Sequence, residues 1–397
     1  MMMRNLSLRV CAILLGAMAV TSPVHGDTKK APAKKTPPRV EVVFCLDTTG
    51  SMSRLINAAK QKIWSISNQI AAGSPTPDLR IGLIGYRDRT DNYVTRVYGL
   101  TDDLDGMYAN LMKFQAGGGG DTPESVNQAL HEAVTKINWS KGKNVLRIIF
   151  LVGDAPPHMD YKDDVKYPKT CEIAAKRGII INTVQCGSVA GTDKIWKQIS
   201  DLSEGSYVRI APNANPVVAV ATPFDDKLAK INKELVKTTV VYGSEREQKR
   251  ASKLNEAAGK LGGSKAADRA STLANLGRGA AYDLVDNFRQ GKVKLEDLKP
   301  EMLPPVLKGK TLKEQKAYLK TLVVRQAQLN DEARQLDKKR RGYIAKKQAE
   351  ELKSRTKDSF DLQVNKLIQR QAQRVNIRYA DVGGLKKKDS GNKDSKK

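Results

Sequence analysis

The segment VVFCLDTTGSMS, residues 42–53, decides the fold of this chain. Its apolar half is typical of a strand buried on both faces of a parallel sheet, and its polar half begins where that strand ends. Ligands of open α/β sheets bind at this end, so Asp47, Thr49 and Ser51 could form half of a hard-cation site. The same hydroxyls also suit a helix N-cap, with Thr49 or Ser51 capping a helix that begins near Met52.

Strand and helix patterns alternate on the C-terminal side of this segment. Apolar runs predict strands at 39–47, 79–86, 94–100, 145–152, 179–185 and 207–210, with helical periodicity between most of them. The short polar connection at 87–92 predicts that the third strand is an antiparallel edge. The alternation predicts an α/β domain over residues 39–242 with a doubly wound, mostly parallel six-stranded sheet.

A different composition begins near residue 243, where the strand pattern disappears and a basic, all-α helical region is predicted to extend to residue 382. Two rows of positions recur there at seven-residue intervals. The first row is apolar or aromatic throughout: Leu322, Leu329, Leu336 and Tyr343. The second row alternates apolar and polar residues: Leu319, Gln326, Ala333 and Arg340. The interruptions favour one long arm of a helical hairpin over about 312–380 rather than a strict coiled coil, with Phe360, Val364 and Leu367 on the return arm.

The two ends of the chain read as segments without a core. Residues 1–26 combine the basic Arg4 and Arg9, an apolar stretch from Val10 to Val20 and a small-residue cleavage site before Asp27. We therefore predict a cleaved signal peptide and an exported protein, periplasmic or secreted; an uncleaved anchor is the alternative. Residues 27–38 form a Pro/Lys-rich linker, residues 383–397 a disordered Lys-rich tail, and no other stretch is long and apolar enough to be transmembrane.

The positive charge is concentrated in the second half of the chain. Residues 39–210 carry 21 Lys and Arg against 19 Asp and Glu, whereas residues 211–397 carry 42 against 23. Such a surplus suits nucleic acid, a membrane surface or an acidic polymer. Export favours an anionic envelope polymer, and the scarcity of aromatic residues in this region argues against nucleic acid, whose bases would need stacking partners.

Three segments converge at one edge of the predicted sheet: Asp47-x-Thr49-x-Ser51, the glycine loop 117–120, and Gly153–Asp154 at the end of a second buried strand. In these motifs the chain resembles the von Willebrand factor type A domain family, in its bacterial branch with Asp-x-Thr-Gly-Ser-Met. The resemblance covers about residues 39–242 and implies a Rossmann-like domain with a metal-ion-dependent adhesion site. It implies Mg²⁺, with Ca²⁺ or Mn²⁺ as substitutes, bound by Asp47, Thr49, Ser51, Asp154 and one residue of the middle loop.

The middle ligand stays open between Thr122 and Glu124. The sequence after the glycine run is similar to the loop of integrin beta subunits, in which the glutamate contributes to the site. In the family, an acidic residue of a protein partner completes the metal shell. If Glu124 is the ligand, its added negative charge should hold the metal more tightly and make the site accept an acidic partner less readily. His158 either lines this site or is an ordinary loop histidine. The segment Tyr86-Arg87-Asp88, at the end of the second strand, either shapes the rim of the site or carries solvated loop charges.

These patterns predict a binding protein, an adhesion or scaffold protein, and not an enzyme. The glycine loop lacks the Lys-Ser/Thr that a phosphate-binding loop needs, and three histidines in all exclude a multi-histidine metal centre. The odd number of cysteines left after signal cleavage, Cys45, Cys171 and Cys186, argues against a disulfide framework. The alternatives are a structural envelope protein that binds anionic polymer through its basic helices, and an enzyme-associated protein of the same family.

Overall fold

The computed structural model describes residues 36–120, 122–210, 220–351 and 360–379. The predicted signal peptide, nearly all of the linker and the predicted tail lie outside the described residues, so these three predictions stand as made. The described residues from Pro37 onward belong to one compact unit. The boundary predicted at residue 242 falls inside that unit, so the elements on both of its sides pack together.

Six strands form one sheet: β1 (Arg39–Asp47), β2 (Asp78–Tyr86), β3 (Thr95–Thr101), β4 (Val145–Gly153), β5 (Ile179–Cys186) and β6 (Tyr207–Ile210). Their order is β3-β2-β1-β4-β5-β6, and only the β2–β3 pair is antiparallel. This confirms the doubly wound, mostly parallel sheet and the antiparallel edge. The winding reverses between β1 and β4, which is where a ligand crevice opens in such sheets.

Eleven helices accompany the sheet in the described part of the chain. They are α1 (Ser53–Ala71), α2 (Leu104–Met112), α3 (Val126–Thr135), α4 (Tyr167–Lys176), α5 (Thr192–Leu202), α6 (Asp225–Thr238), α7 (Glu245–Gly259), α8 (Gly263–Leu276), α9 (Leu284–Arg289), α10 (Leu312–Glu351) and α11 (Phe360–Ala372). None of these helices combines the length and the apolar character needed to cross a bilayer.

Strand β1 has apolar side chains on both faces because both faces of the sheet are covered. Val42 and Phe44 point into a core shared with α1, α2 and α11, while Val43 and Cys45 point into a second core shared with α3, α4 and α5. The unbroken apolar run of the sequence is therefore a central strand of a three-layer domain. The run ends on Asp47, at the carboxyl end of this central strand.

The helices after residue 220 form a further layer over α1. Small residues of α8, including Ala267, Ala270 and Ala274, lie in one apolar cluster with α6 and α10 and let these helices approach closely. Thr272 of α8 donates a hydrogen bond to the carbonyl oxygen of Trp64 in α1, at 3.3 Å. The all-α region is thus packed against the sheet domain.

Arg269 of α8 makes a buried, bidentate polar contact between these helices and the sheet domain. Its guanidinium donates two hydrogen bonds of 2.7 Å to the carboxylate of Asp105 in α2 and a third of 2.8 Å to Asn232 in α6. The Tyr282 hydroxyl donates to the same carboxylate at 2.9 Å. The arginine side chain is only 1% exposed, so this bidentate pair is held out of water.

The long helix α10 has a buried stripe that contains the polar residues that interrupt its apolar rows. Gln326 donates a hydrogen bond of 2.8 Å to the buried carboxylate of Asp283, which precedes α9. Arg340 is buried and donates to both Asp225 of α6 and Asp268 of α8. The interruptions of the heptad pattern are therefore side chains that fix α10 against three other helices.

The predicted return arm packs elsewhere, so the hairpin prediction is wrong for the described residues. Val364 and Leu367 of α11 lie in the core beneath the sheet together with Ile66 and Ile70 of α1, rather than along α10. The side chain of Gln371 exchanges two amide hydrogen bonds with Asn182 of β5, at 3.0 and 2.8 Å. The apolar spacing predicted the helix but carried no information about which element it packs against. The side chain of Phe360 is not among those that the structure describes.

We expect Arg269→Met to lower the free energy of unfolding by about 3–5 kcal/mol, because it leaves the Asp105 carboxylate buried without its partner. Arg250→Met is the matched control: Arg250 also pairs with an aspartate at the start of α2, Asp103, but the arginine is 62% exposed. Its loss should cost less than about 1 kcal/mol. Urea unfolding followed by circular dichroism measures both values, and equal losses would contradict a buried pair between the helical layer and the sheet domain.

Candidate metal centre

Asp47 ends β1 with one carboxylate oxygen bonded and the other unpartnered. Its Oδ1 accepts hydrogen bonds from the backbone N–H of Thr49 at 2.9 Å and from the Thr49 hydroxyl at 2.6 Å. Its Oδ2 is buried and has no hydrogen-bond partner in the structure. A buried carboxylate oxygen without a donor is costly unless a cation or a proton satisfies it.

The hydroxyls of this motif do not cap the following helix, so that alternative is wrong. A 3-10 turn at Gly50–Met52 separates Thr49 from α1, and neither Thr49 nor Met52, the residues before the turn and the helix, makes a side-chain capping bond. Thr49 Oγ1 instead lies 3.2 Å from Ser51 Oγ. The two hydroxyls therefore lie side by side next to the carboxylate of Asp47.

Asp154 directly follows β4 and joins the same cluster. Its carboxylate is hydrogen-bonded to the side chain of Ser51, which links the ends of the two strands. The residue before it must be glycine, because a Cβ at Gly153 would lie 2.4 Å from the Tyr86 hydroxyl and 3.1 Å from Asp47 Oδ2. Close packing at the sheet edge thus brings the two aspartates together.

The middle loop places its two candidate ligands differently. Thr122 is exposed, whereas Glu124 is 4% exposed and its Oε2 has no partner. The Glu124 backbone bonds the loop that follows Asp154, donating to Pro156 O at 2.9 Å and accepting from His158 N at 3.1 Å. The Glu124 side chain is therefore fixed in the buried cluster by the backbone of the β4 loop.

The glycine loop allows the close approach of Glu124 to the first motif. Gly118 and Gly119 have φ angles of +76° and +81°, a conformation that other residues rarely adopt. An added Cβ at Gly119 would lie 3.4 Å from Thr49 Cβ and 3.9 Å from Glu124 Oε1, so this carboxylate is next to the first motif. Gly119 N–H donates to the Asp91 carboxylate, which holds the loop in place.

Burial and mutual repulsion make the carboxyl groups of this cluster harder to ionise. Burial, assisted by the neighbouring Asp154, raises the pKa of Asp47 to about 7. Burial and the surrounding aspartates, Asp47 first among them, raise the pKa of Glu124 to about 9. Burial raises the pKa of Asp154 as well. Carboxylates that oppose each other's ionisation in this way provide a favourable environment for a cation.

A second polar group lies beside this cluster and was only partly visible in the sequence. The buried carboxylate of Asp88 accepts hydrogen bonds from Ser125 Oγ at 2.9 Å and from the Tyr161 hydroxyl at 2.7 Å. The His158 ring stacks on Tyr161 and has Nδ1 2.8 Å from Asp160 Oδ1. The ring of His158 thus contacts Tyr161, and its backbone N–H bonds the carbonyl oxygen of Glu124. Ser125 and Tyr161 carried no sequence signal, because single polar residues in loops are common.

The donor set suits a hard divalent ion that keeps some of its water. Across the described residues, no group of three or more Asp, Glu, His or Cys side chains is placed to hold a metal ion by itself. The available oxygens are instead two unpartnered carboxylate atoms, on Asp47 and Glu124, the Asp154 carboxylate and two adjacent hydroxyls. Mg²⁺ is bound in proteins by a few carboxylates together with waters rather than by an all-protein cage, so these residues fit it.

We expect the metal-free protein to lose stability as the pH rises from about 5 to about 9. The folded state retains protons on Asp47 and Glu124 that the unfolded chain has already released, since ordinary carboxyl pKa values are about 4. Their contribution to stability is full below the unfolded pKa values and is lost as the pH rises through the folded values of about 7 and about 9. Urea unfolding in a chelating buffer at several pH values measures the trend.

Glu124→Gln should flatten this pH dependence, since it removes one of the two titrating groups and its repulsion of the other. Glu172→Gln, on the exposed surface of α4, is the control and should leave the slope between pH 5 and 9 unchanged. The same slope in wild type and Glu124→Gln would contradict the buried, like-charged cluster.

Comparison with known proteins gives the following matches. Residues 41–219 match the sequence model of a family described as von Willebrand factor A domain. A von Willebrand factor A domain-containing protein 7 of Rattus norvegicus is 37% identical over 97 residues, which are 24% of this chain and 10% of the relative. An ariadne-like RING finger protein of Acanthamoeba polyphaga mimivirus is 24% identical over 178 residues, 44% of this chain and 16% of that protein. This chain therefore spans less than a fifth of either curated relative.

Among solved structures, the crystal structure of the SpRpn10 VWA domain is similar at 16% identity and a TM-score of 0.35, covering 46% of this chain and all of that one.

Proposed function

We propose that the protein is an exported, divalent-metal-dependent binding protein, on the basis of the match of its residues 41–219 to the von Willebrand factor A domain model. Domains of this family commonly mediate protein–protein interaction. In the proposal a protein partner engages the metal centre at the carboxyl ends of β1 and β4, as an adhesion or scaffold contact. Export rests on the signal-like sequence of residues 1–26.

The observation that carries the proposal is the pair of buried, unpartnered carboxylate oxygens, Asp47 Oδ2 and Glu124 Oε2. Burying such oxygens without donors is unfavourable, and placing them beside a third carboxylate, Asp154, adds repulsion. A divalent cation would satisfy both oxygens and relieve the repulsion. Mg²⁺ is the proposed ion, with Ca²⁺ or Mn²⁺ as substitutes, held by Asp47, Glu124 and Asp154 with the Thr49 and Ser51 hydroxyls.

The third carboxylate affects what the ion can bind next. Three carboxylates around a doubly charged ion leave a net charge of about −1 at the site, so a partner's acidic residue is attracted less than at a two-carboxylate site. The proposed partner still offers an acidic residue to replace a metal-bound water. Its binding should be weak and readily reversible for this reason.

Binding rather than catalysis is proposed because the cluster lacks the parts of an enzyme active site. Asp47 Oδ1 is bonded within its own loop, to the backbone and hydroxyl of Thr49, and the nearby His158 ring is bonded to Asp160. The sequence has no nucleotide-binding loop and no nucleophile elbow. An enzyme-associated role would require a separate catalytic partner.

We expect Mg²⁺ to raise the melting temperature of the full-length chain, because the folded state alone would hold the ion; at a concentration 100 times the Kd the gain is about 2.7 kcal/mol. Asp47→Ala should abolish the shift, and Glu124→Gln should weaken Mg²⁺ binding about tenfold or more. Thr122→Ala is the matched control from the same loop and should keep the wild-type affinity. A larger loss in Thr122→Ala than in Glu124→Gln would make the threonine the middle ligand, and no shift in wild type would refute the metal centre.

Partner binding is tested by capture from an envelope extract. The wild-type chain should retain a protein in Mg²⁺ and release it in EDTA, and Asp47→Ala should retain none, because the partner is bound through the ion. Glu124→Gln should retain more of an acidic partner at saturating Mg²⁺, since it lowers the negative charge around the ion. Equal retention by wild type and Asp47→Ala would contradict binding through the metal centre.

A further inference from the structure

A groove runs between α2 and α7, one helix from each side of the predicted domain boundary. We call it the α2–α7 groove; its volume is about 640 Å³. On the α2 side it is lined by small residues, Gly106, Ala109 and Asn110, with Lys113 directly after the helix. Four basic residues line the α7 side: Arg246, Lys249, Arg250 and Lys253. Spacings of three and four residues put all four on one face of α7.

The two walls are connected by a specific contact. Arg250 Nη2 donates a hydrogen bond of 2.8 Å to Asp103, the residue that caps α2. A Cβ at Gly106 would lie 2.6 Å from the same Nη2, so the glycine leaves room for the guanidinium across the surface of α2. The groove is therefore a built feature of the fold and not a gap between unrelated surfaces.

The charge of the groove is largely uncompensated. Five basic residues line it against a single acidic one, Glu245, and Arg250 has Asp103 as its partner. Within the described residues, Arg246, Lys249 and Lys253 form no ion pair. By comparison, Lys176 and Lys237 on other helices do form ion pairs, with Glu172 and Glu234. Neighbouring like charges on one helix face are unfavourable by themselves and favour an external anion.

We propose that the α2–α7 groove binds a linear anionic polymer, independently of the metal centre. Along α7 the charged face from Arg246 to Lys253 spans about 10 Å, enough to meet successive charges of a chain that lies in the groove. Lys113 on the opposite wall adds a contact from the other side. The lining residues include no aromatic side chain, so stacked bases of single-stranded nucleic acid are not the ligand. A concave site between two helices also suits a chain better than a flat bilayer.

The test compares two triple variants of the full-length chain in EDTA, with inorganic polyphosphate and polyglutamate as probes. Lys113, Lys249 and Lys253 are changed to Gln in the groove variant. Lys313, Lys320 and Lys338, exposed on α10, are changed to Gln in the control, which alters the net charge by the same amount. Gln has nearly the helix propensity of Lys, and equal thermal melting of the variants confirms that both fold.

We expect the groove variant to bind about tenfold or more weakly at low salt and the control to stay within about twofold of wild type. The dependence of log K on log salt concentration should lose about 2 in slope in the groove variant, since each lost contact releases about 0.7 fewer counterions. Preference for polyphosphate would identify a phosphate polymer as the ligand class, and preference for polyglutamate a carboxylate polymer. Either preference supports the groove.

Equal weakening of both triple variants would overturn the proposal, because binding would then follow total charge rather than this site. Binding that is confined to vesicles of anionic lipid, or to single-stranded DNA, would also overturn it. Asp47→Ala should bind both polymers as wild type does. The groove proposal and the metal-centre proposal can therefore be refuted independently of each other.

Discussion

The site depends on a carboxylate that the sheet holds out of water. Asp47 lies at the end of a strand that is buried on both faces, so its position is fixed by the packing of β1 between β2 and β4. The reversal of the winding at this point brings Asp154 to the same edge, and the glycine loop brings Glu124. Neutral hydrogen-bond donors satisfy only part of these oxygens, and the proposed divalent cation would satisfy the remainder.

Buried charge, as well as apolar contact, attaches the helical layer to this domain and holds the layer itself together. Arg269 and Arg340 each join elements that are far apart in sequence, the first to α2 and the second to α6 and α8. Buried ion pairs of this kind contribute little net stability but strongly disfavour arrangements in which one partner loses the other. They therefore specify how the layer sits, while the alanine-rich surface of α8 supplies the close packing.

Much of the domain could be predicted from residue patterns, because each strand and its terminal carboxylate are local features. The sheet and the cluster of Asp47, Ser51 and Asp154 follow from apolar runs that end in acidic residues. The choice between Thr122 and Glu124 could not, since it depends on backbone bonds to the loop after β4. The position of α11 could not be predicted either. Its apolar spacing is compatible with packing against several elements, and only the folded structure shows that an apolar face of α1 is the one it covers.

That position of α11 has a consequence for the timing of synthesis. The Tyr379 hydroxyl donates a hydrogen bond to the carbonyl oxygen of Ile70, 309 residues earlier in the chain. At roughly 5–20 residues per second, a ribosome needs on the order of 15–60 s to make the intervening sequence. During that interval the apolar face of α1 that α11 finally covers lacks its partner. The sheet domain therefore cannot complete its core until the segment that contains α11 and Tyr379 has emerged from the ribosome.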